Sequence, residues 1–90
     1  MKIDVNTFGT TLISRPAARE AFLAARAYSI PKDSTDTIEL DFSHVKVLTP
    51  SWADEFITKI KERYSARVML LDSDNPSVKA TLALLHDIEA

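Results

Sequence analysis

The stretch "DFSHVKVLTPSWADEF", residues 41–56, carries the transition on which the fold turns. Up to Leu48 apolar and polar residues alternate, the period of a half-buried strand. Thr49, Pro50 and Ser51 interrupt that alternation. Trp52, the single tryptophan of the chain, then opens a different pattern. Trp52, Phe56, Ile60 and Tyr64 recur four residues apart, and Ala53 and Ile57 widen the stripe, as on the buried face of a helix. Thr49 followed by Pro50 suits an N-cap and first helical residue, because proline lacks the N–H that would be orphaned there. Ser51 with Asp54 three residues later fits a capping box instead. Either register starts the same helix. Asp54 and Glu55 are expected in its first turn, where the helix dipole favours acids, and Glu55 with Lys59 forms an i, i+4 pair.

Working outward, "MKIDVN" reads as a short strand with Ile3 and Val5 on one face, and "FGTTLI" as a turn or bent extended segment around Gly9, the only glycine. Ser14 caps a helix with Pro16 in its first turn, running to about Tyr28. Its alanine-rich face, with Ala18, Ala21, Phe22 and Ala25 at helical spacing, allows close approach to a sheet. "TIELDF" is a strand with Ile38, Leu40 and Phe42 on one face. The uninterrupted apolar run "RVMLL" has the form of a strand covered on both faces. Asn75 and Pro76 start a last helix with Val78, Leu82 and Leu85 inward. The alternating order implies an α/β fold, with a mostly parallel sheet of about four strands and three crossover helices.

Ninety residues suit one domain, residues 1–90, with no room for a deep cofactor pocket. The net charge of −2 argues against a general nucleic-acid binder. Without cysteine there is no disulfide, thiolate metal site or thiol nucleophile. No apolar run has the length of a membrane span, and the N-terminus lacks the apolar core of a secretion signal, so a cytoplasmic protein is expected. His44 and His86 have no ligand partners at zinc-helix spacing. Asp72, Asp74 and Asn75 lack the glycine and distal glutamate of a calcium loop and read as turn and cap residues. Asp41, Ser43 and His44 are sequence neighbours, which is not how a nucleophile–base–acid triad is assembled. Neither catalytic activity nor a cofactor or metal is expected. Arg15, Arg19 and Arg26 form a basic stripe on the first helix, an ordinary solvated face or a landing site for an acidic surface.

"IELDFSHVKVLTPSWADEF", residues 38–56, resembles the central segment of STAS domains, the modules of sulfate transporters and anti-sigma factor antagonists. Leu40, Asp41, Phe42, Ser43, Val45, Val47 and Leu48 stand at the matching positions. "DFSHV" followed by "SWADEF" is closer to a bacterial STAS-like family of unknown function, and "LISRPAAREAF", residues 12–22, also fits that family. The resemblance implies a protein-interaction module, a partner-switching or regulatory component in bacterial signalling. It also implies a protein partner such as a histidine-kinase-type ATPase or an anti-sigma-like protein. In antagonists the serine after the turn aspartate is phosphorylated. Here Pro50 takes that serine's place and Thr49 the aspartate's, so Ser51 and Thr49 are the remaining candidates for modification. The partner surface implied by this match is Thr49, Ser51, Asp54 and Glu55. Two alternatives stay open: a sensor binding a small ligand or anion at the helix N-terminus near Thr49–Ser51, and a structural subunit of a larger complex.

Overall fold

The computed structural model describes residues 1–33, 35–64 and 67–89, with backbone alone for 86–89. Among the described residues there are five strands and three α-helices, with two strands before the first helix, two before the second and one before the third. Strand β1 (Lys2–Asp4) passes through a 3-10 turn, Val5–Phe8, into β2 (Thr11–Leu12). Helix α1 (Arg15–Ala24) extends through a π-helical turn, Ala25–Ser29. Then come β3 (Ile38–Asp41), β4 (Val47–Leu48), α2 (Pro50–Tyr64), β5 (Val68–Leu70) and α3 (Pro76–Glu89).

The strands form two parallel sheets rather than one. The larger has the order β1-β3-β5, and the smaller pairs β2 with β4. In the first, Ile3 lies beside Leu40 and Leu40 beside Leu70. In the second, Leu12 lies beside Leu48. The division arises in the opening stretch. Asp41 Oδ1 accepts the amide of Ser43 at 2.9 Å, and the Val45 amide bonds back to the Phe42 carbonyl at 3.0 Å. An aspartate that captures the amide two residues on makes a local turn compete with the strand. What reads as one alternating segment is therefore two strands with a turn between them. Helix α3 follows the last strand instead of crossing between two.

Gly9 delivers the chain from the 3-10 turn into β2, with φ 128° and ψ 161°. Backbone in that region is essentially reserved for glycine. Ser14 accepts the Ala17 amide at 3.2 Å and caps α1 as its type predicts.

One apolar cluster of buried residues runs from Ile3 to Leu85, with Val68 and Leu70 of β5 half-buried against it. The stripe Trp52, Phe56 and Ile60 is buried, with Tyr64 at its margin. The Trp52 and Phe56 rings stack at 4.7 Å, and Phe8 closes on Phe56 at 5.6 Å. Ala18, Ala21 and Ala25 are buried, so α1 can lie close to its neighbours. The expectation that "RVMLL" is covered on both faces is corrected: Met69 is 52% exposed, on the sheet face it shares with its register neighbours Glu39 and Lys2.

Candidate functional site

The β4–α2 junction is bound from three directions. The Thr49 amide continues the β2–β4 pairing by donating to the Leu12 carbonyl at 3.0 Å. The Thr49 hydroxyl lies 3.0 Å from the Leu12 carbonyl and 2.9 Å from that of Ile13, and it accepts the Trp52 amide at 3.4 Å. The Ala53 amide makes the first helical bond, to the Thr49 carbonyl. Of the two capping registers, the Thr49–Pro50 register is the one formed, and Ser51 is an exposed helical residue. Asp54 and Glu55 consequently fall beyond the first turn of α2, which carries no acid. That corrects the expected dipole contact.

The other edge of β4 is held by side chains of α3. Ser77 accepts the Leu48 amide at 3.0 Å, and Thr81, buried, donates to the Leu48 carbonyl at 2.6 Å. Asn75 donates through Nδ2 to the carbonyls of Val45 and Lys46, while its Oδ1 accepts the Ser77 and Val78 amides. Asn75 thus caps α3 and ties down the approach to β4 with one side chain. Sequence reading placed Asn75 as a cap but missed Ser77 and Thr81. A polar residue on an amphipathic helix gives no sign that it faces a strand edge.

The acids and arginines assigned to separate surfaces meet one another. Arg15 reaches Asp54 at 2.8 Å and Glu55 at 3.9 Å, and Arg19 reaches Glu55 at 3.6 Å. Lys59 closes on Glu55 at 3.5 Å, and Thr58 donates to Asp54 at 3.3 Å. Asp54 and Glu55 therefore link α2 to α1, with the Asp54 side chain still 43% exposed and that of Glu55 17%. Arg26 stands apart from this cluster, exposed and without an ion pair among the described residues.

What remains outward at the junction is apolar and hydroxylic. Ile13 is 56% and Val47 40% exposed, beside exposed Pro50 and Ser51. Thr11 is the register partner of Val47, and strand alternation sets Ile13 on the same side as Thr11, opposite the buried Leu12 and Leu48. Ile13 and Val47 went unnoticed in the sequence because single exposed apolar residues are commonplace. The anion reading keeps one of its amide donors here. Pro50 has no N–H, and the Trp52 and Ala53 amides are taken by Thr49, which leaves that of Ser51.

A second polar cluster sits at the carboxyl ends of β1 and β3, where Asp4 and Asp41 are register partners. Lys2 lies 3.4 Å from Asp41. The Ser43 amide and hydroxyl hold the Asp41 carboxyl below its ordinary pKa, with Lys2 adding to the effect. Ser43 Oγ and Asp4 Oδ1 approach His44 at 3.4 and 3.7 Å, but both face the same ring nitrogen, Nδ1. A triad uses both ring nitrogens, one toward the nucleophile and one toward the acid. This arrangement has no relay. His86 is outside the residues whose side chains are described. Among the described residues no group of acids and histidines could hold a metal ion, and no helix is long and apolar enough to cross a membrane. A groove of about 700 Å³ opens between the end of β5 and α3, lined by Leu70, Val78 and Leu82 with Asp72 and Asp74 at its rim.

These features define a small α/β domain of three helices and parallel strands, organised around a strand-to-helix junction. The chain belongs to the family described as STAS-like domain of unknown function (DUF4325), whose model matches residues 28–79, from the π-helical turn to the first turns of α3. No curated protein and no solved structure matches it significantly.

Proposed function

We propose that this STAS-like domain is a protein-interaction module of a signalling system, one that recognises a partner without chemical turnover. The partner class suggested by its relation to STAS antagonists is a histidine-kinase-type ATPase or an anti-sigma-like protein. The observation that carries the reading is the outward face of the β4–α2 junction. There Ile13, Val47, Pro50 and Ser51 are all exposed, at the ends of the paired strands β2 and β4 and the start of α2. A small apolar centre with a hydroxyl beside it has the composition of an interface core more than of a reaction centre. Ser51 is the group to modify. Its side chain is exposed, whereas the Thr49 hydroxyl is engaged by Leu12, Ile13 and Trp52. A phosphate on Ser51 would bring up to two negative charges to an apolar rim and discourage docking without unfolding the domain.

The reading is tested by affinity capture from the native cell, followed by titration of the partner so identified. Ser51→Asp and Ile13→Asp are each expected to weaken binding at least tenfold, about 1.4 kcal/mol, while melting like the parent. Parent-like binding by both variants would place the interface elsewhere. Glu55→Arg is not a clean probe, because it breaks the α1–α2 ion pairs.

A further inference from the structure

Helices α1 and α2 enclose a second exposed surface, distinct from the junction. Two open depressions of about 160 and 260 Å³ lie side by side and share Phe22 and Lys59. Arg19 and Leu23 complete the first, and Glu62 and Arg63 the second. Phe22 packs its inner edge on the core, while Leu23, its neighbour, is 57% exposed. The floor is thus apolar and the walls are charged.

The sign of that charge selects the occupant. The lining carries three cations against one carboxylate, Glu62, in a chain whose net charge is −2. Glu55 draws on Arg19 and Lys59 at the end nearest the junction. Arg63 lies beside the Tyr64 ring at 6.0 Å, and no carboxylate of the described residues pairs with it. Arg26 follows Phe22 four residues on, and it too has no ion-pair partner among the described residues. Cations without a carboxylate partner among the described residues therefore lie away from the junction, at Arg63 on α2 and Arg26 at the end of the first helix. One wall, α1, lies outside the residues matched by the family model.

We propose that the α1–α2 groove docks an acidic segment of a partner protein, seating an apolar side chain on Phe22 and Leu23 between carboxylates that meet Lys59, Arg63 and Arg26. Opposite charge across such a surface accelerates encounter and fixes orientation, and the apolar contact supplies residence. The site is separate from the junction surface, so each can fail without the other.

The test is selection of random short peptides displayed on phage against the folded chain, with the winners resynthesised and mapped by amide chemical shifts. The expected winners carry Asp and Glu around a Leu, Phe or Trp, and shift the amides of Arg19–Leu23 and Lys59–Arg63. Their affinity should fall at least tenfold from about 50 mM to about 500 mM salt, as screened charges require. Leu23→Asp and Arg63→Glu, both at exposed positions, should each weaken binding tenfold or more while melting like the parent. Ile13→Asp should bind these peptides unchanged. Neutral or basic winners, no enrichment at all, or binding indifferent to Leu23→Asp and Arg63→Glu would overturn the proposal. So would sedimentation showing a dimer dissolved by Leu23→Asp, or Leu23-dependent binding to phosphatidylglycerol–phosphatidylcholine vesicles in place of peptides.

Discussion

Trp52 is 1% exposed and stacks on Phe56, so its ring fills volume that no neighbour can recover. Trp52→Ala should cost about 3–5 kcal/mol, the range for deleting a large buried aromatic. Urea denaturation measures it, and a loss below about 1 kcal/mol would mean that the ring is dispensable to the core. Gly9 makes a different demand. A Cβ there would meet Leu12 Cδ2 at 3.4 Å, a tolerable approach, but its φ of 128° is one that side chains rarely adopt. Gly9→Ala should therefore cost about 1–3 kcal/mol through backbone strain and not through crowding. Thr49→Val keeps the shape of the side chain and removes both a cap and a bond to β2. Losing that hydroxyl should cost about 1–2 kcal/mol in the same assay.

The ion pairs between α1 and α2 hold position more than they hold energy. Arg15 and Asp54 are 46% and 43% exposed at their side chains, and pairs so wet contribute little. A double-mutant cycle on Arg15→Ala and Asp54→Ala should give a coupling of at most about 1 kcal/mol, shrinking as salt is raised. A larger, salt-insensitive coupling would reveal a pair shielded from water. Helices and their caps were legible in the sequence, because Ser14, Thr49 and Asn75 act on neighbours two or three residues away. Pairing between helices was not. A helical wheel shows which residues share a face and never which face meets it, so Arg15 and Glu55 looked like two separate surfaces. The β2–β4 pair was also illegible, since two-residue strands are too short to display a period. "RVMLL" misled for a related reason: an apolar run records composition, and only the register shows that Met69 shares its face with Glu39 and Lys2.

Across the domain, the carboxyl with a shifted pKa among the described residues is that of Asp41, at the end of β3. The Asp41 carboxyl is held below its ordinary pKa by Ser43 and Lys2. When the folded value lies below the unfolded one, the unfolded chain takes up the proton first as pH falls. Stability from this group is therefore complete above the ordinary carboxylate range and is lost as pH drops through the folded value. Melting temperatures should fall more steeply in the parent than in Asp41→Asn below about pH 5. Parallel curves would assign acid sensitivity to other carboxylates. The junction itself was half legible. Its location and the Thr49 register follow from local rules, but Ile13 and Val47 join Ser51 only because β2 comes to lie beside β4.

That the first two strands pair only with strands from the middle of the chain bears on how the protein is made. As the ribosome releases residues 1–30, β1 and β2 have no partner to bond and α1 has no α2 to cover its apolar stripe. Contacts so distant along the chain slow folding, because the intervening loop must close before any of them forms. The decisive moment is the emergence of residues 38–64. These carry the partner of β1, the partner of β2 and the helix beside α1, so the waiting N-terminal third gains its strand partners and its helix neighbour within one span of the chain.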